Sequence, residues 1–184
     1  MPAPVTTLPA GCRIGVLADT HCERDGRRLP AAVFDAFGSV DLIVHLGDCG
    51  DPAALDELAR LAPVCATRGG DDAAQDGRYA DTRVIAAASV TIGALFDPAR
   101  AGLAVAGGLS AATSSRGGAG LARTFGRSVD VVLFAATHTA LVAHSGGVLF
   151  VNPGSATLPA PPAPGTVAVL EVRGGVTSVE IVRV

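Results

Sequence analysis

The sequence predicts an α/β protein that opens on a parallel sheet, and three observations carry the prediction. Apolar runs of strand length alternate with helix-patterned stretches between residues 13 and 72. Each run stops at a small group of Gly, Asp, His or Thr residues. Hydrophobic residues make up 49% of the 184 and charged residues 17%, enough apolar volume for one well-buried core in a chain too short for two.

The elements follow in order. The run 13–18 (RIGVLA) is a buried strand that ends in Asp19-Thr20-His21. Residues 29–37 carry a helical pattern. The run 41–46 (DLIVHL) is a second buried strand, ending in Gly47-Asp48. A helix is expected over 51–61, with Asp51 as its N-cap and Pro52 at its first position, where a missing N–H costs nothing. A third strand, 63–67, ends at Arg68-Gly69-Gly70-Asp71-Asp72. This β-α-β-α-β order implies a parallel sheet, and in open α/β sheets sites form at the carboxyl ends of the strands. Further on, 83–88 and 90–96 read as paired strands, 121–127 as a helix, and 131–134 as a buried strand leading to Thr137-His138. The pairs 140–144 with 148–151 and 166–172 with 176–182 read as hairpins turning on Gly146-Gly147 and Gly174-Gly175. The Gly/Ala/Ser-rich segment 101–120 fits either a loop or a loosely packed helix. Residues 1–12 read as an N-terminal extension ahead of one domain, 13–184.

Charge narrows the partners. A formal net charge of −3 and a pI near 5.7 lack the basic excess of a nucleic-acid-binding surface. All 14 basic residues are Arg, a coding bias of GC-rich genomes that says little about function. The cluster Arg24, Arg27 and Arg28 reads as a solvated loop rather than a substrate contact. Four cysteines, Cys12, Cys22, Cys49 and Cys65, form no Cys-x-x-Cys pair, so free thiols in a reducing cytoplasm are expected. Residues 131–170 contain no charged side chain, but Gly146-Gly147, Asn152-Pro153-Gly154 and a Pro cluster at 159–164 interrupt them. A spanning helix needs about 20 unbroken apolar residues, so buried strands are expected there instead. Residues 1–11 lack the basic and apolar regions of a secretory leader.

Four polar sets each follow an apolar strand: Asp19 with His21, Asp48, the turn 69–72, and His138. In an Asp-x-His on a strand-ending loop both side chains can point the same way. Two carboxylates and two imidazoles suit Mn, Fe or Zn and fit calcium or structural zinc poorly. Any one of these residues alone would pass for loop polarity; the joint pattern is harder to dismiss.

The motifs Leu17-Ala18-Asp19-Thr20-His21, His45-Leu46-Gly47-Asp48, Thr137-His138 and Val151-Asn152-Pro153-Gly154-Ser155 resemble the single-domain bacterial and archaeal phosphodiesterases of the calcineurin-like superfamily. The non-catalytic cargo-sorting subunit of retromer shares that fold. The resemblance covers nearly the whole chain, from Arg13 to Val184. It implies a four-layer α/β/β/α sandwich of the metallo-dependent phosphatase type, with two metals at the strand ends bridged by the Asp of Gly-Asp. Asp19, His21, Asp48 and His138 match all four ligands of the first metal, with Asp48 and His138 taken as the catalytic pair. The three ligands unique to the second metal fall on Gly70, Phe96 and Ala136, which cannot ligate through their side chains. Loss confined to one site implies selection that keeps a single metal.

The resemblance therefore implies a metallophosphoesterase acting on phosphodiesters through a metal-activated water, with a small phosphorylated substrate, one divalent transition metal (manganese favoured over iron or zinc), and a second metal weak or absent. Asp71, Asp72 and Asp97 are candidate replacement ligands; the bland reading is turn chemistry for the first two and a turn or helix cap for Asp97. Arg68 is a candidate phosphate contact that could equally pair with Asp71 or Asp72. His45 reads as a packed histidine beside the site, His144 as solvent-facing, and Asn152 as a support of the site from beneath. Two other functions stay open: a catalytically degenerate binding or scaffold module, and a mononuclear metal enzyme of non-hydrolytic chemistry. Homo-oligomerisation is left open as well.

Overall fold

The computed structural model describes residues 5–23, 26–99, 103 and 115–184. Arg24, and all of the segment 101–120 before residue 115 except Leu103, lie outside the described residues.

Twelve strands and three helices are present among the described residues. One sheet has the order β12-β11-β2-β3-β4-β5 and the other β1-β6-β7-β8-β10-β9. In the first, β2 (Cys12–Leu17), β3 (Leu42–His45) and β4 (Val64–Thr67) are parallel, with Gly15 opposite Ile43 and Val44 opposite Cys65. The short strand β5 (Tyr79–Ala80) extends that edge, and the antiparallel hairpin of β11 (Thr166–Arg173) and β12 (Val176–Arg183) closes the other. In the second sheet, β8 (Val131–Leu133) lies parallel between β7 (Val90–Leu95) and β10 (Val148–Pro153). The hairpin β6 (Thr82–Ala87)–β7 and strand β9 (Ala140–Ser145) complete it.

Alternation along the strands places three apolar layers. Ile14, Val16, Leu42 and Val44 meet Ile85, Ile92, Val131 and Leu133 between the sheets. The other face of the first sheet packs on α1 (Ala31–Ala36) and α2 (Ala53–Leu58) through Val33, Phe37, Leu55 and Leu58. The other face of the second packs on α3 (Ser115–Phe125) through Leu121 and Phe125. The architecture is thus the four-layer α/β/β/α sandwich expected. Two glycines allow the outer layers to close down: a Cβ on Gly15 would sit 2.8 Å from the Phe37 ring, and one on Gly93 2.7 Å from the Phe125 ring.

Three local expectations need correction. Residues 1–12 are not all extension, because Val5–Leu8 forms strand β1 in parallel register with β6, Val5 opposite Val84. Helix α3 begins at Ser115 rather than 121 and ends at Phe125. Helix α2 begins one residue late, with Pro52 in the capping place; the Asp51 carboxylate still accepts the Ala53 N–H at 3.0 Å, so Asp51 satisfies a helix-end donor from one position further out. No helix among the described residues is long and apolar enough to cross a membrane.

Candidate metal centre

The strands of both sheets stop at one place. Asp19 and His21 follow β2, Asp48 follows β3, the turn 68–72 follows β4, Phe96 and Asp97 follow β7, and Ala136 and His138 follow β8. The β2 and β3 loops continue side by side past the sheet: Asp19 N–H donates to Gly47 O (3.0 Å), His21 N–H to Asp48 O (2.9 Å), and Cys22 N–H to Cys49 O (2.8 Å). Asp19, His21, Asp48, Ala136 and His138 all have left-handed backbone, with φ of 49°, 40°, 52°, 69° and 54°. Such conformations are rare outside glycine and persist where the surroundings over-determine them. Gly47, at φ 104°, could not be replaced here, since a Cβ would lie 2.6 Å from Gly69 N and 2.8 Å from the Phe96 ring.

Asp72 ties these loops together. Its buried carboxylate accepts the N–H of Cys49 on one oxygen (3.0 Å) and those of Asp48 (2.9 Å) and Gly69 (2.7 Å) on the other. Its oxygens are already committed to backbone donors, so Asp72 is a loop tie and not a replacement ligand.

The frame brings Asp19, His21 and His138 into one group and His21, Asp48 and Asp71 into a second that shares His21. Asp19 is fully buried, and neither of its carboxylate oxygens accepts a well-formed hydrogen bond among the described residues, the Ala136 N–H being only a weak neighbour; His21 Nε2 likewise has no partner. His138 Nε2 lies 3.8 Å from Asp19 Oδ1, and His21 Nε2 lies 3.9 Å from Asp48 Oδ2. Those separations are too long for hydrogen bonds, yet inside the roughly 4 Å that two atoms each about 2.1 Å from one ion can span. The two imidazoles stack with centroids 5.2 Å apart, and ligand atoms of Asp19, His21 and His138 all lie within 4.8 Å of one another. Burial pushes the Asp19 carboxyl up from 3.8 to about 6, against the pull of His138 and with the nearby Asp48 adding to the rise. A carboxylate left bare in this way is what a cation would satisfy, so the residues present fit a divalent metal.

Buried polar side chains brace the loops that carry these residues. His138 Nδ1–H donates to the Leu158 carbonyl at 2.6 Å, which leaves Nε2 as the free donor atom. Asn152 is buried beneath the β8 loop, donating to Ala135 O (3.3 Å) and Thr137 Oγ1 (3.0 Å) and accepting the Gly154 N–H (2.9 Å). Ser155 Oγ donates to Asp19 O at 2.7 Å. His45 is fully buried: Nδ1 accepts the Gly47 N–H (3.2 Å), Nε2–H donates to Thr20 Oγ1 (2.9 Å), and Thr20 passes its proton toward Cys49 O (3.1 Å). Burial pushes His45 down to about 4, which suits that neutral, doubly engaged ring. Burial also pushes the Cys49 thiol up to about 12, consistent with packing and not chemistry.

Several candidates are not brought to the cluster. Arg68 pairs with neither Asp71 nor Asp72; it donates to Ala73 O (2.5 Å) and Tyr79 O (3.0 Å) and lies 3.7 Å from Asp81. It does line, with Phe96 and Asp97, a pocket of about 300 Å³ next to the turn. Asp97 accepts the Ala99 N–H at 2.8 Å, the turn geometry expected before Pro98. Phe96 is buried, with its ring against Gly47 beside Asp48. Leu158 and Thr20 were not anticipated as partners, and a backbone carbonyl leaves no mark in a sequence.

Residues 12–175 match the model of the calcineurin-like phosphoesterase superfamily domain. A probable metallophosphoesterase of Methanothermobacter thermautotrophicus is 31% identical over 92% of this chain and 91% of its own length. A second, of Methanocaldococcus jannaschii, is 34% identical over 79% of this chain and 69% of its own. Among solved structures, Vacuolar Protein Sorting 29 of Cryptosporidium parvum superposes with a TM-score of 0.69 at 17% identity, over 95% of this chain and 98% of that one. A novel archaeal phosphodiesterase does so with a TM-score of 0.60 at 18% identity, over 92% and 99%. Likeness at that identity speaks for the fold alone. The family model and the two relatives go further, and by them the chain belongs to the calcineurin-like phosphoesterase superfamily, whose members use divalent metal ions.

Proposed function

We propose that the protein hydrolyses phosphodiesters of small phosphorylated molecules, working from one divalent cation held by Asp19, His21, Asp48 and His138. The observation that carries this reading is the buried Asp19 carboxylate with both oxygens bare, faced by His138 Nε2 at 3.8 Å. A cation there would supply Lewis acidity toward a phosphoryl oxygen and lower the pKa of a bound water. The chain's own residues do the remaining work. Two carboxylates balance a divalent charge, Leu158 O and the β8 loop aim His138, and Asp72 and His45 hold the backbone from which Asp48 projects. Asp48 would then serve that one cation, since the positions the resemblance matches to the second metal's own ligands, Gly70, Phe96 and Ala136, carry no donor side chain. Manganese is the favoured metal, with iron or zinc as alternatives, and four free thiols suit a reducing cytoplasm. With Mn²⁺ the purified protein should cleave bis(p-nitrophenyl) phosphate and bind about one metal per chain, and Asp48→Asn should abolish turnover. Absence of turnover with every divalent metal tried would refute the reading.

The lack of donor side chains at Gly70, Phe96 and Ala136 favours a second reading, a scaffold module whose metal is structural. The similarity of fold to a vacuolar sorting protein is in keeping with it. On that reading metal removal lowers stability without any chemical phenotype, and a partner captured by the protein is retained by His138→Ala.

A further inference from the structure

The two histidines of the centre have unlike partners on their outer nitrogens. His138 is held by a neutral carbonyl, that of Leu158. His21 Nδ1 instead lies 2.6 Å from Asp71 Oδ2, a carboxylate whose side chain is 55% exposed. The same residue's backbone N–H donates to Asp48 Oδ1 at 2.9 Å. One position after β4 therefore touches a ligand that follows β2 and another that follows β3.

Resting on the single-cation reading above, we infer that Asp71 is a positioning residue: its carboxylate holds the Nδ1–H tautomer and ring plane of His21 so that Nε2 is offered to the cation, while its N–H orients the Asp48 carboxylate. A separation of 2.6 Å is a short, charge-assisted hydrogen bond. It is too close for two atoms that each bind one ion at about 2.1 Å, which would stand nearer 3 Å apart. The Oδ2 atom that meets Nδ1 is thus a partner of a ligand. Because His21, Asp48 and Asp71 also offer atoms within 4.8 Å of one another, metal stoichiometry separates that role from ligation by Asp71 itself. Its neighbour Asp72 spends its carboxylate on backbone donors, so the adjacent acids divide the work: one shapes the loop, the other aims a side chain. The contribution grows when the cation binds, because an imidazole drained of charge at Nε2 donates more strongly from Nδ1.

Zinc titration calorimetry on the full chain tests this, with Asp71→Ala removing the acceptor and Asp71→Asn keeping a neutral one. Each protein should bind one Zn²⁺. Affinity should fall roughly 10- to 100-fold in Asp71→Ala, the usual scale for outer partners of metal-bound histidines, and by less in Asp71→Asn. In ¹H–¹⁵N spectra of the zinc-loaded proteins, the His21 Nδ1–H signal should be protected from exchange in the wild type and exchange faster in Asp71→Ala. Unchanged affinity and exchange in the variants, with one Zn²⁺ on the wild type, would overturn the positioning role and leave the cation reading standing. Two Zn²⁺ on the wild type and one on Asp71→Ala would make Asp71 a ligand and overturn it too. A wild type that binds no zinc would remove the cation reading and the positioning role with it. Should Asp71→Ala fail to fold, the Asp71→Asn comparison decides.

Discussion

Ionising Asp19 in the metal-free protein places a bare carboxylate in a dry site, and the cost can be isolated with Asp19→Asn. The folded chain holds this carboxyl at about 6 against 3.8 ordinarily. Between those values the folded state carries a proton that the unfolded state has lost, so stability falls as pH rises from 3.8 to 6 and stays low above it. At ~1.4 kcal/mol per pH unit, the loss is about 3 kcal/mol. Asparagine keeps the shape and cannot ionise. Its own unpaired N–H groups cost about 1–3 kcal/mol, but equally at every pH. The stability of Asp19→Asn minus that of the wild type, from urea unfolding in chelator, should therefore grow by about 2.5 kcal/mol from pH 4 to pH 7. Zinc at a hundredfold excess over Kd should restore roughly 2.7 kcal/mol to the wild type at pH 7 and nothing to the variant. A difference that does not change with pH would refute the placement of Asp19 as a desolvated, unpartnered carboxylate.

His45 should show the opposite sign. It stays neutral in the folded protein down to about 4, against 6.5 ordinarily, so the unfolded chain gains a proton first and stability is lost as pH falls through that window. In the Asp19→Asn background, where the opposing contribution is absent, unfolding free energy should drop by up to about 3 kcal/mol between pH 6.5 and 4. His45→Ala, which orphans the Gly47 N–H and leaves a void, should cost about 3 kcal/mol at pH 7 in the same urea assay. Gly47→Ala should cost more than about 2 kcal/mol and weaken zinc binding at least tenfold by calorimetry, because the Asp48 loop cannot stay against Gly69.

What the sequence disclosed depended on how local the cause was. The strands β2, β3 and β4 were legible because buried parallel strands are unbroken apolar runs, and their polar ends announced the site. Strand β1, with exposed and half-buried residues in the pattern VTTL, and the two-residue β5 lie at sheet edges where no such run forms. The first turns of α3, SRGGAG, hide a helix behind glycines of low propensity, which the apolar contacts of Leu121 and Phe125 outweigh. The identity of the four cluster residues was readable from spacing and resemblance. Their partners were not: Asp71 and Asp72 are adjacent and chemically identical, and only the turn after β4 sends one to His21 and the other to three backbone donors. Arg68, likewise, finds the carbonyls of its own loop, an outcome no side-chain pattern encodes.

The left-handed backbone at the strand ends sets folding against function at identifiable positions. At Asp19, His21, Asp48 and His138 the cheapest residue for the main chain is glycine, by about 1 kcal/mol each. A library selected only for persistence of the fold should drift toward glycine at all four and erase the site while the sandwich improves. Ala136 shows the same backbone without the chemistry: it keeps a φ of 69° with a side chain that cannot ligate. Wherever such loops still carry aspartate and histidine, something other than stability is maintaining them.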